Sequence, residues 1–332
     1  MLGALGALAA CNPAPPSGGG MATVPIAKAE PRAEAPSVPA AATRAAAQVA
    51  GIDALRVAAS GRIVAIGDVH GDLEATRRAL RLGGAIDADD RWIGGALVVV
   101  QAGDQLDRGD DEQEIVDLFE RLVVDARAAG GTFVVLNGNH ELMNVLGDLR
   151  YVTPGGFRDF EGVAGADPGD PRFAPLPPEQ RARAAAFAPG GPYARKLAER
   201  HLAAIVGDTV FVHGGILPEQ VDGLVALDAG VQAMMRGEAV DRRIAAAAMD
   251  PEGPLWARDF AWTEEPEVCA RLGDSLAKLG VTRMVVGHTV QQDGINSACD
   301  GRVWRIDVGL AAHYSGPTQV LEIVGDAVRV LQ

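Results

Sequence analysis

Three stretches decide how this chain is read: Gly67-Asp68-Val69-His70-Gly71-Asp72, Gly103-Asp104-Gln105-Leu106-Asp107-Arg108-Gly109 and Asn137-Gly138-Asn139-His140-Glu141. Each follows an apolar run, the second after Gln101-Ala102, namely Ile63-Val64-Ala65-Ile66, Ala96-Leu97-Val98-Val99-Val100 and Thr132-Phe133-Val134-Val135-Leu136. Short apolar runs that end in Gly-flanked polar loops read as buried strands. Between them, Leu73–Leu82 carries apolar residues at helical spacing and stops before Gly83-Gly84. Ile115, Leu118, Phe119 and Leu122 form a second helical stripe that stops at Gly130-Gly131. Strand, loop and helix repeated in this way predict an α/β layered domain. Ligands of open α/β sheets lie beyond the carboxyl ends of the strands, so the three loops are expected to converge on one site.

The later part of the chain extends the pattern. Ala203–Val206 and Thr209–Val212 flank Gly207-Asp208, a hairpin signal, and the second run ends in His213-Gly214-Gly215. Met284-Val285-Val286 reads as a further buried strand and ends in Gly287-His288-Thr289. Residues 216–282 are expected to be mostly helical and polar. The runs Val303–Val308, Thr318–Val324 and Ala327–Leu331 close the chain as strands. A terminal set of strands after α/β units predicts two packed sheets. Pro and Gly crowd residues 154–192, and residues 152–200 read as an insertion. Either a lid or binding loop over the site or a surface excursion fits them.

The catalytic domain is expected to span residues 57–332. Residues 1–10 are apolar and far short of the ~20 residues a membrane-spanning helix needs. They read as the apolar core of a secretory signal, although no Lys or Arg precedes it. Leu8-Ala9-Ala10-Cys11 is similar to a bacterial lipoprotein cleavage box, with Cys11 the lipidated residue, which predicts an envelope location. A start at Met21 is the alternative. Residues 12–50, rich in Pro, Ala, Gly and Ser, read as a disordered tether.

Composition narrows the function. Hydrophobic residues make up 48% of 332, enough for a sizeable core, and the net charge is -14. This acidity argues against a nucleic-acid binder, which needs a basic face. It also demands local cations if the substrate is an anion. Cys11, Cys269 and Cys299 have no zinc-site spacing and form no disulfide framework. Cys269 and Cys299 are expected as buried thiols, with pairing in an oxidising compartment as the alternative.

The strand ends collect Asp68, His70, Asp104, Asn139, His213 and His288. Mixed oxygen and imidazole donors suit Mn, Fe or Zn better than Mg or Ca. Asp104 is the natural bridge between two such ions. A pair of them can clamp an in-line displacement and generate hydroxide near neutral pH. His140 follows Asn139 directly, within reach of a leaving oxygen, and a carboxylate such as Asp107 can orient it as general acid. Arg108 offers a fork of donors for phosphate oxygens.

Taken in order, Gly67-Asp68-Val69-His70-Gly71, Gly103-Asp104-Gln105-Leu106-Asp107-Arg108-Gly109, Gly138-Asn139-His140-Glu141, His213-Gly214-Gly215 and Gly287-His288 resemble the motifs of the calcineurin-like metallophosphoesterases. The likeness is to the phosphoprotein phosphatase branch in particular. The resemblance implies a four-layer fold, two packed mixed β-sheets flanked by helices. It implies one metal on Asp68, His70 and Asp104 and a second on Asp104, Asn139, His213 and His288. His140 and Asp107 become the acid pair and Arg108 a phosphate ligand. The branch uses a second arginine, for which Arg258 in Leu255-Trp256-Ala257-Arg258-Asp259 is the candidate.

Two features depart from the eukaryotic Ser/Thr enzymes. Asn137 stands where they carry a basic residue, and Gly309-Leu310-Ala311-Ala312-His313-Tyr314 replaces their Ser-Ala-Pro-Asn-Tyr loop. Asn144-Val145-Leu146-Gly147-Asp148-Leu149-Arg150-Tyr151 and Gly294-Ile295-Asn296 are similar instead to the Shewanella-like phosphatases, several of which prefer phosphotyrosine. The implied activity is a phosphomonoesterase using metal-bound hydroxide on phosphorylated proteins or peptides, phosphotyrosine first. Its rivals are a nucleotide or dinucleoside-polyphosphate hydrolase and a non-catalytic metal-containing binding module. Asn144, Asp148 and Arg150 read as either the mouth of the site or a polar turn. His201 is expected on a solvated helical face, Trp256 and Trp262 as packing groups, and His313 is undecided.

Overall fold

The computed structural model describes residues 51–58 and 61–332; the expected signal segment (1–11) and tether (12–50) lie outside the described residues. Strands are numbered along the chain. In a five-stranded sheet, β2 (Arg62–Ile66), β3 (Val98–Gln101) and β4 (Thr132–Val135) run parallel side by side. Ile63 lies opposite Val98, and Val98 opposite Thr132. The hairpin β10 (Val320–Val324) and β11 (Ala327–Leu331) joins antiparallel along β2. A six-stranded sheet has the order β1 (Arg56–Val57), β5 (Ala203–Val206), β6 (Thr209–Val212), β7 (Arg283–Val286), β9 (Val303–Arg305), β8 (Asn296–Ala298). Its central strands β6 and β7 are parallel, with Val212 opposite Val286. In both sheets the parallel neighbours end level with one another. The loops after β2, β3 and β4, and those carrying His213 and His288, therefore leave from aligned strand ends.

The sheets pack face to face. Ala65, Val98, Val100 and Leu321 of one meet Ala204, Val206, Phe211 and Val285 of the other in a dry core. The alternate residues of the same strands, Val64, Ile66 and Val99, face outward under α1 (Leu73–Leu82) and α2 (Glu112–Ala128). Central strands covered on both faces explain why they read as unbroken apolar runs. α3 (Asn139–Val145) follows β4 directly. The insertion contributes α4 (Pro154–Asp159), α5 (Arg181–Phe187) and α6 (Pro192–Leu197). α7 (Leu224–Met235) and α8 (Pro266–Leu279) follow. Leu272, Leu276 and Leu279 of α8 cover Val210, Val212, Met284 and Val286 on the outer face of the six-stranded sheet. The result is α/β/β/α, the four layers and two mixed sheets expected.

Several expectations need correction. The insertion is more than a surface excursion: residues 161–180 are largely at the surface, but Phe160, Phe187, Tyr193 and Leu197 form a core with Leu106, Val116, Leu142 and Val145. Residues 216–282 are not uniformly polar, because Leu224, Val231 and Met235 of α7 are buried. The strand expected over 303–308 stops at Arg305, and Ile306–Val308 leave the ladder to carry Asp307 inward. His201 is not on a solvated helical face. α6 ends at Leu197, the His201 Nδ1 lies 2.7 Å from Asp228, and Arg200 is buried against Gln105 and Glu120. Trp256 packs as expected and donates to Ala248 O, but Trp262 is 65% exposed.

Cys269 and Cys299 are not free thiols. The start of α8 lies against the turn after β8, with the two Cα atoms 5.4 Å apart, and a disulfide joins them. Bridging a 30-residue separation removes conformations from the unfolded chain. Replacing both cysteines with alanine is expected to lower stability by about 2–4 kcal/mol in chemical denaturation. An unchanged midpoint would remove the bridge from the forces that hold α8 to its sheet.

Candidate active site

The strand-end loops are forced into tight turns by their sequence. His70, Asp104, Asp107, Arg108 and His288 all have positive φ, between 39° and 69°, five of the nine described non-glycine residues that do. Such backbone costs on the order of 1–2 kcal/mol per residue and persists only where surroundings impose it. Glu141, fully buried at the start of α3, imposes much of it. Its carboxylate accepts from the backbone N–H of Asp104 (2.9 Å), Gln105 (2.9 Å), Leu106 (3.2 Å) and Gly138 (2.6 Å). Asp104 Oδ1 accepts in turn from His140 N at 3.0 Å. Gly138 lies so close to the Asp104 carboxylate that a Cβ would collide with it.

Asp104 Oδ2 is the focus of the site. It lies 3.2 Å from His213 Nε2, 3.7 Å from His70 Nε2 and 3.8 Å from His140 Nε2. The other nitrogens are committed: His70 Nδ1 donates to Leu106 O and His213 Nδ1 to Ala102 O, each at 2.9 Å. With Nδ1 committed to a backbone carbonyl, the Nε2 atoms of His70 and His213 are the ones that face a carboxylate oxygen. Asn139 turns its amide nitrogen to Met143 Sδ and presents Oδ1 to His213 Nε2 at 2.9 Å. His288 Nδ1 is 3.2 Å from the same nitrogen, while His288 Nε2 is buried without a hydrogen-bond partner. Acceptors converging on acceptors are unfavourable in a dry interior unless a cation lies among them.

Protonation follows the same logic. Burial, reinforced by neighbouring His140, pushes His70 down to about 3. Burial and His213 depress His288. Burial would raise Asp104, but His213, His140 and His70 hold it well below the ordinary carboxylate value. Imidazoles gathered around an ionised carboxylate are the donor set of a transition-metal site. Two groups of such donors each lie within 4.8 Å of one another: His70, Asp104 and His140, and Asp104, His213 and His288. Asp104 is common to both. The residues present therefore fit a metal pair.

Asp68 is nearby but belongs to neither group. Its oxygens accept from His288 N at 3.1 and 3.3 Å. Burial and the adjacent Asp307 raise its pKa well above the ordinary value.

On the other side of His140, Nδ1 lies 2.5 Å from Asp107 Oδ2. Burial opposes the charged ring, but Asp104 and Asp107 together hold His140 above its ordinary pKa. Arg108 Nη2 is 3.5 Å from His140 Nε2. Its guanidinium lies between the rings of Tyr151 (4.7 Å) and Tyr314 (5.2 Å). Arg258 stands on the His288 side, donating to His288 O (3.1 Å) and Thr289 Oγ1 (2.9 Å), with its guanidinium 5.7 Å from the Trp262 ring. Asn144 is no polar turn: it is buried and donates to Asp107 Oδ1 and His140 O. Asp148 and Arg150 pair with each other in the following turn. His313 is exposed beside Tyr314. Tyr151, Tyr314, Asp307 and Arg183 were not singled out by sequence reasoning.

A model of the calcineurin-like phosphoesterase family matches residues 61–292. Shewanella-like protein phosphatase 2 of Arabidopsis thaliana is 40% identical over 302 residues, covering 81% of this chain and 77% of that protein. Shewanella-like protein phosphatase 1 of Plasmodium berghei is 29% identical, covering 76% and 68% respectively. Among solved structures, a cold-active protein-tyrosine phosphatase of a psychrophilic Shewanella species matches with a TM-score of 0.64 at 23% identity, covering 84% of this chain and 82% of that one. At that identity the likeness speaks for the fold.

Metal should stabilise this site measurably. At a free metal concentration about 100 times Kd, the gain is ~2.7 kcal/mol over the chelated protein. In Asp104→Asn, the new amide can donate to His213 Nε2 and relieve the clash of acceptors. The chelated variant should be at least as stable as the chelated parent, with no metal-induced shift in denaturation midpoint. A full metal-induced shift in Asp104→Asn would show that Asp104 does not hold the cations.

Proposed function

The chain belongs to the calcineurin-like phosphoesterase family and is a metallophosphatase, and from that premise we propose a phosphomonoesterase of phosphorylated proteins, phosphotyrosine favoured over phosphoserine and phosphothreonine. The observation that carries the reading is the placement of His140. Its ring spans from Asp107 at 2.5 Å to the space between Asp104 and Arg108, where a phosphoryl group held by the arginine would lose its leaving oxygen.

In this reading Asp68, His70 and Asp104 hold one ion, and Asp104, Asn139, His213 and His288 hold a second, with Mn, Fe or Zn the candidates. Such ions, when bound, neutralise phosphoryl oxygens and lower the pKa of coordinated water. The chain's own groups do the rest. Arg108 grips phosphate oxygens with its fork of donors, and Arg258 approaches from the opposite rim. Asp107 keeps the His140 proton on Nδ1 and stabilises the charged ring. His140 Nε2 then delivers a proton to the leaving oxygen.

The tyrosine preference rests on the rim. Two of the chain's three tyrosines, Tyr151 and Tyr314, stand against Arg108, and Trp262 is exposed beside Arg258. Aromatic walls favour a planar aromatic ester. A panel of phosphotyrosine, phosphoserine and phosphothreonine peptides, nucleotides and dinucleoside polyphosphates tests this. The highest kcat/KM is expected on phosphotyrosine. Dinucleotide hydrolysis without peptide turnover overturns the substrate class, and a metal-loaded protein inert on the whole panel favours a binding module.

The proposal places the enzyme in the bacterial envelope, tethered through a lipidated Cys11. The Cys269–Cys299 disulfide supports an oxidising compartment. Cys11→Ser should move the protein from the membrane fraction to the soluble fraction. Retention in the membrane fraction would defeat the tether.

A further inference from the structure

The largest fully buried side chain in the described structure is a cation, Arg183, with 0% of its side chain exposed. It comes from α5 of the insertion, an otherwise Ala-rich turn of helix, Arg181-Ala182-Arg183-Ala184-Ala185-Ala186-Phe187. Burying a guanidinium is expensive unless its donors and charge are satisfied. Here they are. Nε donates to Asn144 Oδ1 at 2.8 Å, Nη1 to Gly156 O at 2.9 Å and Nη2 to Asp107 Oδ1 at 3.2 Å. The same Nη2 pairs with Glu112. Phe160 and Phe187 lie against the guanidinium, with ring centroids 4.9 and 5.2 Å away.

The two oxygens of Asp107 have separate tasks. Oδ2 meets His140 Nδ1, and Oδ1 accepts from Asn144 and Arg183. Asn144 also donates to His140 O, so one asparagine touches the acid, its carboxylate and the arginine. Burial pushes Glu112 up although Arg183 opposes it, and the one guanidinium lies between two buried carboxylates, Glu112 and Asp107. Removing Arg183 would leave Asp107 Oδ1 held by Asn144 alone and strip the buried carboxylate of its fixed cation, so that it can rotate away from the imidazole.

We propose that Arg183 is a positioning residue of the general acid: the insertion uses it to lock the Asp107 carboxylate, and through it the His140 ring, in the orientation that presents Nε2 to the leaving oxygen. The inference rests on His140 being the acid. It assigns the insertion a part in the chemistry that none of its residues performs by touching substrate.

The test compares two aryl phosphates on the full chain loaded with Mn²⁺. The leaving group of p-nitrophenyl phosphate departs without protonation, whereas that of phenyl phosphate needs the acid. Arg183→Met should lower kcat on phenyl phosphate by about 10- to 100-fold, part of the 10²–10⁴-fold that general acid catalysis supplies. On p-nitrophenyl phosphate it should change kcat by less than about 3-fold, with KM and metal content unchanged. Added to His140→Asn, it should cost nothing more, because the two act as one unit. Arg183→Lys keeps the charge and the apolar stem but not the fork, and serves if the methionine variant does not fold. It should show the same selective loss in weaker form. Equal losses on both substrates, or a further loss on top of His140→Asn, reduce Arg183 to a packing element and overturn the proposal. If His140→Asn itself loses both substrates equally, the acid assignment falls first and the proposal with it.

Discussion

The constraint on which this molecule depends is electrostatic: acceptors outnumber donors around one buried carboxylate oxygen. His70 and His213 spend their N–H protons on backbone carbonyls and turn bare nitrogens to Asp104. Asn139 adds a carbonyl oxygen to the same space, and His288 leaves a nitrogen unmatched. The His140 ring, 3.8 Å from the Asp104 oxygen, is shared with Asp107 on its other side. The arginines of the site stand further out, at His140 and at the His288 carbonyl. A small multivalent cation removes the conflict, and its binding energy is then also folding energy for the loops that hold its ligands.

Those loops need it, because their backbone is not one that L-residues choose. Positive φ at His70, Asp104 and His288 puts the strain on the candidate ligands themselves. Three features offset it. Parallel register brings the strand ends level, so each turn starts from a fixed place. Glu141 gathers four N–H groups of the second and third loops. Behind both, the inter-sheet core holds the strands from moving relative to one another. The carboxylate of Glu141 is therefore as much a part of the site as any ligand, although it offers nothing to substrate.

The sequence made the strand exits legible because local signals coincided there. Apolar runs covered on both faces, a glycine, then Asp, His or Asn, recur four times, and a fifth run ends in His213 with its glycines after it. What stayed hidden depends on contacts distant in sequence. Arg183 lies 76 residues from Asp107 and in a run that reads as an unremarkable helix. Its one signal is an arginine set among alanines next to Phe187. Tyr151 and Tyr314 meet at Arg108 from opposite halves of the chain, which no spacing rule anticipates. His201 and Arg200 misled for the opposite reason. A charged run reads as solvated, yet Gln105, Glu120 and Asp228 reach it from three other segments.

The site thus has two halves built to opposite electrical rules, joined at His140. On the Asp104 side, acceptors are left in surplus and the deficit is met from solution. On the Asp107 side, the protein supplies its own cation, one buried guanidinium set between the buried carboxylates of Asp107 and Glu112, with Asn144 satisfied at both ends. The first half holds the candidate metal donors that include Asp104, and the second is closed by the protein's own side chains. An imidazole at the junction has one nitrogen toward each half, so its orientation is set by the self-contained side and its work is done on the exchangeable one. That division fits an insertion that packs Phe160, Phe187, Tyr193 and Leu197 into a core behind the Asp107 side of the site. On the proposed reading of His140 as the acid, the ring is aimed before cations and phosphate arrive.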